Sequence, residues 1–180
     1  MDENAAIELC VKHGDPRGFE HLVHRHRRQA YIHAVSLMGN AEDAADACQE
    51  SFARAFAAIR RLDGLTQFYP WFYRILRNCC LNAIARRRTA EKYRDAVEQG
   101  AAGPGALDAL VRADENARVW RLLARLKAEF REILLLKYVD GCSYAQLAER
   151  LEIPRGTVMS RLYHARRAFR DLFAESEEEQ

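Results

Sequence analysis

Near the end of the chain, the stretch from Arg155 to Arg170 holds five arginines and no acid, with Thr157, Ser160 and His164 set among them at helical spacing. Guanidinium forks grip phosphates, while hydroxyl, imidazole and guanidinium groups reach the edges of bases, so the chemistry on offer is recognition of a nucleic acid. A second combination lies mid-chain, where Phe68, Tyr69, Trp71 and Tyr73 stand beside Arg74, Arg77, Asn78 and the run Arg86-Arg87-Arg88. Rings that stack on unpaired bases, next to cations that track phosphates, are how proteins hold single strands. The competing reading makes the rings core, and for Phe72 burial is the expectation. Asp43, Asp46, Glu50 and Ala53 are spaced 3, 4 and 3 along one helix face, which is either a solvated surface or a dock for a basic partner. His21, His24 and His26 invite a metal, but His26 sits roughly 200° round a helix from His24, which is poor geometry for one site. The sequence shows no catalytic constellation, phosphate-binding glycine loop or cofactor motif, so neither an enzyme nor a cofactor is expected.

Helices must position these groups. Ala, Leu, Arg and Glu are abundant, strand signals are nearly absent, and the apolar period is helical almost throughout. Ser143 and Gln146 have capping-box spacing, and Tyr144, Leu147, Ala148 and Leu151 give the helix they start an apolar stripe. Glu152-Ile153-Pro154 makes a turn, because proline fixes φ and has no amide hydrogen. The next helix packs Val158, Leu162, Ala165 and Phe169, spaced 4, 3 and 4, and turns its polar set away. The combination predicts a helix-turn-helix. Upstream, Val119, Leu122, Leu123, Leu126, Ile133, Leu134, Tyr138 and Val139 predict two partner helices ending at Gly141.

In the first half, the pattern predicts a helix over 3–13. A second follows, capped by Asp15, begun by Pro16 and ended by Gly39, with a basic outer face through HLVHRHRR. Asn40 is placed to cap a third helix whose packing stripe reads Ala45, Cys48, Phe52, Ala55, Phe56 and Ile59. Residues 60–69 read as a loop, after which Pro70 opens a fourth helix with Phe72, Ile75, Leu76, Cys79, Ala83 and Ile84 inward. Gly100, Gly103, Pro104 and Gly105 among alanines make 95–113 a flexible tether. The expected fold is all-α: two small helical domains, 1–94 and 114–174, joined by that linker, with a solvated acidic tail over 175–180.

An apolar share of 49% is enough for a core, and a net charge of +2 says little by itself. The distribution says more, since residues 74–94 hold seven Lys/Arg against one acid. Five cysteines (Cys10, Cys48, Cys79, Cys80 and Cys142) are odd in number and lack CxxC spacing, which suits small apolar residues in a reducing compartment. No signal-like start is visible, and the apolar run Ile133 to Leu136 is far too short to cross a bilayer. A cytoplasmic protein without membrane insertion is expected.

The order of parts resembles the sigma-70 family of bacterial RNA polymerase sigma factors, in its small two-domain extracytoplasmic-function group. The resemblance covers roughly residues 15–90 and 115–173. It is carried by DAADACQESF from Asp43, FYPWFYRILRN from Phe68, Arg86-Arg87-Arg88, LKAEFREILLLKY from Leu126, GCSYAQLA from Gly141 and IPRGTVMSRL from Ile153. It implies a promoter-recognition subunit. The face of Asp43, Asp46, Gln49 and Glu50 would dock on the β′ clamp helices of core polymerase. Phe68, Tyr69, Trp71, Arg74, Arg77, Asn78, Arg86, Arg87 and Arg88 would open and read the −10 element. The second domain would bind the β flap and read the −35 element, with Arg155, Thr157, Ser160, Arg161, His164 and Arg167 nearest the DNA. An anti-sigma factor as regulator is implied as well. The chain departs from the family pattern at Asn82, Ala45, Met159 and Glu152, where Asp, Glu, Lys and Gly respectively are frequent. The alternatives are a stand-alone helix-turn-helix regulator, which leaves the acidic face and the aromatic-basic helix without purpose, and a metalloenzyme using the histidines of 21–26.

Overall fold

The computed structural model of the protein describes residues 1–62, 67–94 and 117–178. The tether expected at 95–113 lies outside the described residues. Among those described, every regular element is helical: α1 (Glu3–His13), α2 (Pro16–Met38), α3 (Ala41–Ala58), a 3-10 turn (Ile59–Arg61), α4 (Phe68–Arg94), α5 (Ala117–Arg125), α6 (Ala128–Tyr138), α7 (Tyr144–Leu151) and α8 (Arg155–Glu178). They fall into two compact units, one holding α1, α3, α4 and most of α2, the other holding α5 to α8.

In the first unit, Asp2 caps α1 by accepting from the Ala5 amide at 2.7 Å. Gly14, at φ 63°, ends it in the left-handed conformation that costs a glycine least. Asp15 then caps α2 as expected, accepting from the Arg17 amide at 2.9 Å, with Pro16 in the first helical position. The two helices meet at Gly18, where a Cβ would stand 2.4 Å from the Ala6 carbonyl oxygen.

The buried side of α3 runs through Ala44, Ala47, Cys48, Ser51 and Ala55. This corrects the expected stripe: Ala45 is exposed and Phe56 is 52% exposed, because the small residues let α3 lie close to its neighbours and leave the larger ring outside. Helix α4 begins at Phe68 rather than at Pro70. The proline stands within the first turn, where an amide hydrogen has no intrahelical acceptor to lose. His26 is also turned inward rather than lying on a basic outer face. It is 7% exposed, its Nε2 is 3.1 Å from Glu3 Oε2, and its ring stacks against Phe68 and Tyr69 with centroids 5.5 and 5.1 Å away.

In the second unit, Leu122, Leu123, Leu126, Ile133, Leu147, Leu151, Val158, Leu162 and Ala165 form the core. Tyr138 and Val139, expected inside, are 61% and 56% exposed, because α6 ends there and its last turn extends past the core. The acidic tail expected at 175–180 is helix as far as Glu178. Arg125 pairs with Glu175 at 3.1 Å, and Arg118 donates to Ser176 Oγ at 2.8 Å, so α5 holds the end of α8.

Candidate nucleic-acid interface

The turn between α7 and α8 fixes how the second helix is presented. Ser143 Oγ accepts from the Gln146 amide at 3.3 Å, and the Gln146 side chain accepts from the Ser143 amide at 2.8 Å, which closes the capping box. At the other end of α7 the Ile153 amide reaches the Ala148 carbonyl at 3.0 Å, and the Glu152 amide reaches that of Glu149 at 3.3 Å. This is a Schellman ending, and it puts Glu152 at φ 55°. Arg150 and Asp140, nearly buried, pair at 3.5 Å behind the turn. Burial of Val158, Leu162 and Ala165 then sets the rotation of α8.

On the outward side of α8, Arg155, Ser160, His164 and Arg167 are exposed, and Thr157 and Arg161 are half-buried at its flank. All six residues expected at a duplex therefore belong to one helix with an open face. Two more share that face and were not anticipated as contacts: Met159, 65% exposed, and Tyr163, 59% exposed. The helical period from Arg155 already placed them there, at 155, 159 and 163.

The single-strand site is smaller than expected. Phe68, Tyr69 and Tyr73 are 0%, 6% and 0% exposed, so their rings are core and not stacking platforms in this conformation. Phe68 stacks on Phe72 at 5.5 Å and meets Phe19 edge-on at 6.2 Å, while Tyr73 meets His33 edge-on at 5.0 Å. The cause is the early start of α4. Once Phe68 is helical, it falls on the stripe of Phe72, Leu76 and Cys79, a signal available in the sequence. What α4 leaves outward is Arg74, Asn78, Leu81, Asn82 and Arg86, with Trp71 and Arg77 half-buried. The Arg88 side chain lies outside those described.

The acids of α3 are not bare. Asp43 pairs with Arg87 at 3.0 Å, and Glu50 with Arg54 at 2.5 Å and Arg86 at 3.7 Å. Asp46 and Gln49 are exposed, and Phe56 adds an open ring farther along the helix. In the second unit, α5, α6 and α8 leave an apolar groove of about 620 Å³, lined by Val119, Leu123, Leu134, Val139 and Phe169, with Tyr163, Arg166 and Arg170 also on its wall. Among the described residues there is no group of three or more His, Cys, Asp or Glu that could hold a metal ion, and no helix long and apolar enough to cross a membrane.

Two family descriptions match the chain: sigma-70 region 2 over residues 22–90 and sigma-70 region 4 over residues 116–169. The chain is 32% identical to the ECF RNA polymerase sigma factor SigW of Bacillus subtilis, over 89% of this chain and 91% of that one. It is 31% identical to the RNA polymerase sigma-H factor of Pseudomonas aeruginosa, over 93% and 92%. Among solved structures, it is similar to CnrH in complex with the cytosolic domain of CnrY, with a TM-score of 0.68 and 25% identity over 97% of this chain and 99% of that one. The fold is also that of the sigma factor RpoE bound to the anti-sigma factor NepR from Bartonella quintana, with a TM-score of 0.71 and 22% identity over 87% and 96%.

Proposed function

The chain belongs to the sigma-70 family of RNA polymerase sigma factors, in its extracytoplasmic-function group, and on that premise we propose how its surfaces divide the work of promoter recognition. The protein binds core RNA polymerase and directs initiation at the promoters of a regulon, and the polymerase performs the chemistry. Residues 1–94 act as region 2, 95–113 as the tether and 114–174 as region 4. The α3 face of Asp43, Asp46, Gln49 and Glu50, extended by Phe56, docks on the β′ clamp helices. The outward side of α4, with Trp71, Arg74, Arg77, Asn78 and the arginines from Arg86, meets the melted −10 element. Phe68 and Tyr69 brace it from within.

Helices α7 and α8 read the −35 element through Arg155, Thr157, Ser160, Arg161, His164 and Arg167. The apolar groove of the second unit, with its two arginines, suits an amphipathic segment, and we assign it to the β flap. Two weak DNA modules held by one polymerase raise each other's effective concentration, so neither needs to bind DNA tightly alone. Work on core polymerase places the protein in the cytoplasm, and an anti-sigma factor is its natural regulator.

The observation that carries this reading is the pairing of an open cationic helix-turn-helix face with a separate acidic-apolar face on α3. In vitro transcription with core polymerase on a cognate promoter tests it. Start-site-specific transcripts that depend on both elements are expected. Tight duplex binding by the protein alone, with no initiation, would overturn it.

A further inference from the structure

We propose that Met159, backed by Tyr163, selects a thymine methyl group in the −35 element, an inference that rests on the assignment of α7 and α8 to duplex DNA. The two residues are four apart on α8 and are 65% and 59% exposed; they stand about 100° round the helix from the core stripe of Val158, Leu162 and Ala165, and Tyr163 also borders the apolar groove. A lone exposed apolar side chain needs no explanation. These two form a ridge in the first turns of the second helix of a helix-turn-helix, where side chains reach base edges.

The ridge is framed by Arg155, Ser160 and His164, all exposed. Beside it, Gly156 leaves open space where a Cβ would stand, with no atom within 4 Å, so a groove wall can come close to the backbone. The Tyr163 ring also meets that of His164 edge-on at 5.4 Å. The cations supply affinity for the duplex without sequence choice.

Choice at position 159 must come from what a thioether can do. Methionine has no hydrogen to donate and only a weak acceptor. Of the groups that the major groove displays, the C5-methyl of thymine is the apolar one; the others are donors or acceptors. An exposed methionine among arginines therefore favours thymine and penalises a base whose polar edge it would desolvate. A lysine at the same place would favour phosphate or guanine instead.

The test uses full-length protein with core polymerase. A −35 element is selected from randomised duplexes, and each thymine is then replaced in turn by deoxyuridine, which removes the methyl and nothing else. One thymine should lose about fourfold in affinity, the effect of burying one methyl, and that loss should vanish in Met159→Ala. Met159→Lys should shift the selected base toward guanine. A selected element insensitive to every methyl removal, or a methyl dependence retained in Met159→Ala, would overturn the inference alone. Binding with no −35 dependence at all would overturn the promoter assignment and the inference with it.

Discussion

Asp43 and Arg87, 44 residues apart in the chain, meet in an ion pair at 3.0 Å, Arg87 Nη1 donating to Asp43 Oδ2. Glu50 and Arg86 approach to 3.7 Å two turns farther along α3. The acids assigned to polymerase thus share charge with the arginines assigned to the melted strand. These pairs are partly exposed, and each contributes on the order of 0–1 kcal/mol.

That small energy is enough for a measurable coupling. Asp43→Asn should raise the affinity of the isolated protein for a single-stranded oligonucleotide by up to about fivefold at low salt. The gain should fade as salt screens the charges. Fluorescence anisotropy reads this directly, and an affinity unmoved at every salt concentration would show that Arg87 does not meet the strand.

Asp46 and Phe56 are the cleaner probes of the α3 face, since both are exposed. Asp46→Arg and Phe56→Ala should each weaken core polymerase binding by about tenfold or more, as removal of a charged or aromatic anchor does. Far-ultraviolet circular dichroism should be unchanged. Retained affinity in both variants would move the docking face off α3.

Glu152 holds φ 55° without being glycine. The left-handed region costs a residue with a Cβ about 1–2 kcal/mol, and glycine's extra freedom in the unfolded chain returns part of that. Glu152→Gly should therefore stabilise the protein by about 0.5–1 kcal/mol in denaturant unfolding, and Glu152→Val should destabilise it. The reverse order would mean the turn is not built this way.

The cysteines should be inert when the protein is folded. All five are buried and none is in a disulfide, and burial pushes the Cys48 thiol from 9.0 up to about 12. Burial also raises those of Cys10 and Cys142. Iodoacetamide at pH 8 should label them only after unfolding, and fast native labelling would mark a reactive thiol. The sign of the linkage follows from the raised value. The unfolded Cys48 loses its proton above pH 9.0 while the folded one keeps it to about 12, so stability falls as pH rises through that window.

Much of this molecule could be read from one dimension. Caps, turn residues and helical periods act over three or four residues, so Asp15, Pro16, the Ser143–Gln146 box and the Val158–Leu162–Ala165 stripe all stand where the chain alone placed them. The open face of α8 follows from that stripe. The direction in which the rings and acids of the first unit point depends on contacts between residues distant in sequence. The spacing from Asp43 to Glu50 does not reveal that arginines 36 and 44 residues away sit beside them. Nor does the cluster from Phe68 to Tyr73 say that Phe19, His26 and His33 receive its rings. Local hydrogen bonding makes the helices legible. Burial is decided only when helices pack, and packing turned three expected base platforms into core and left Phe56 outside.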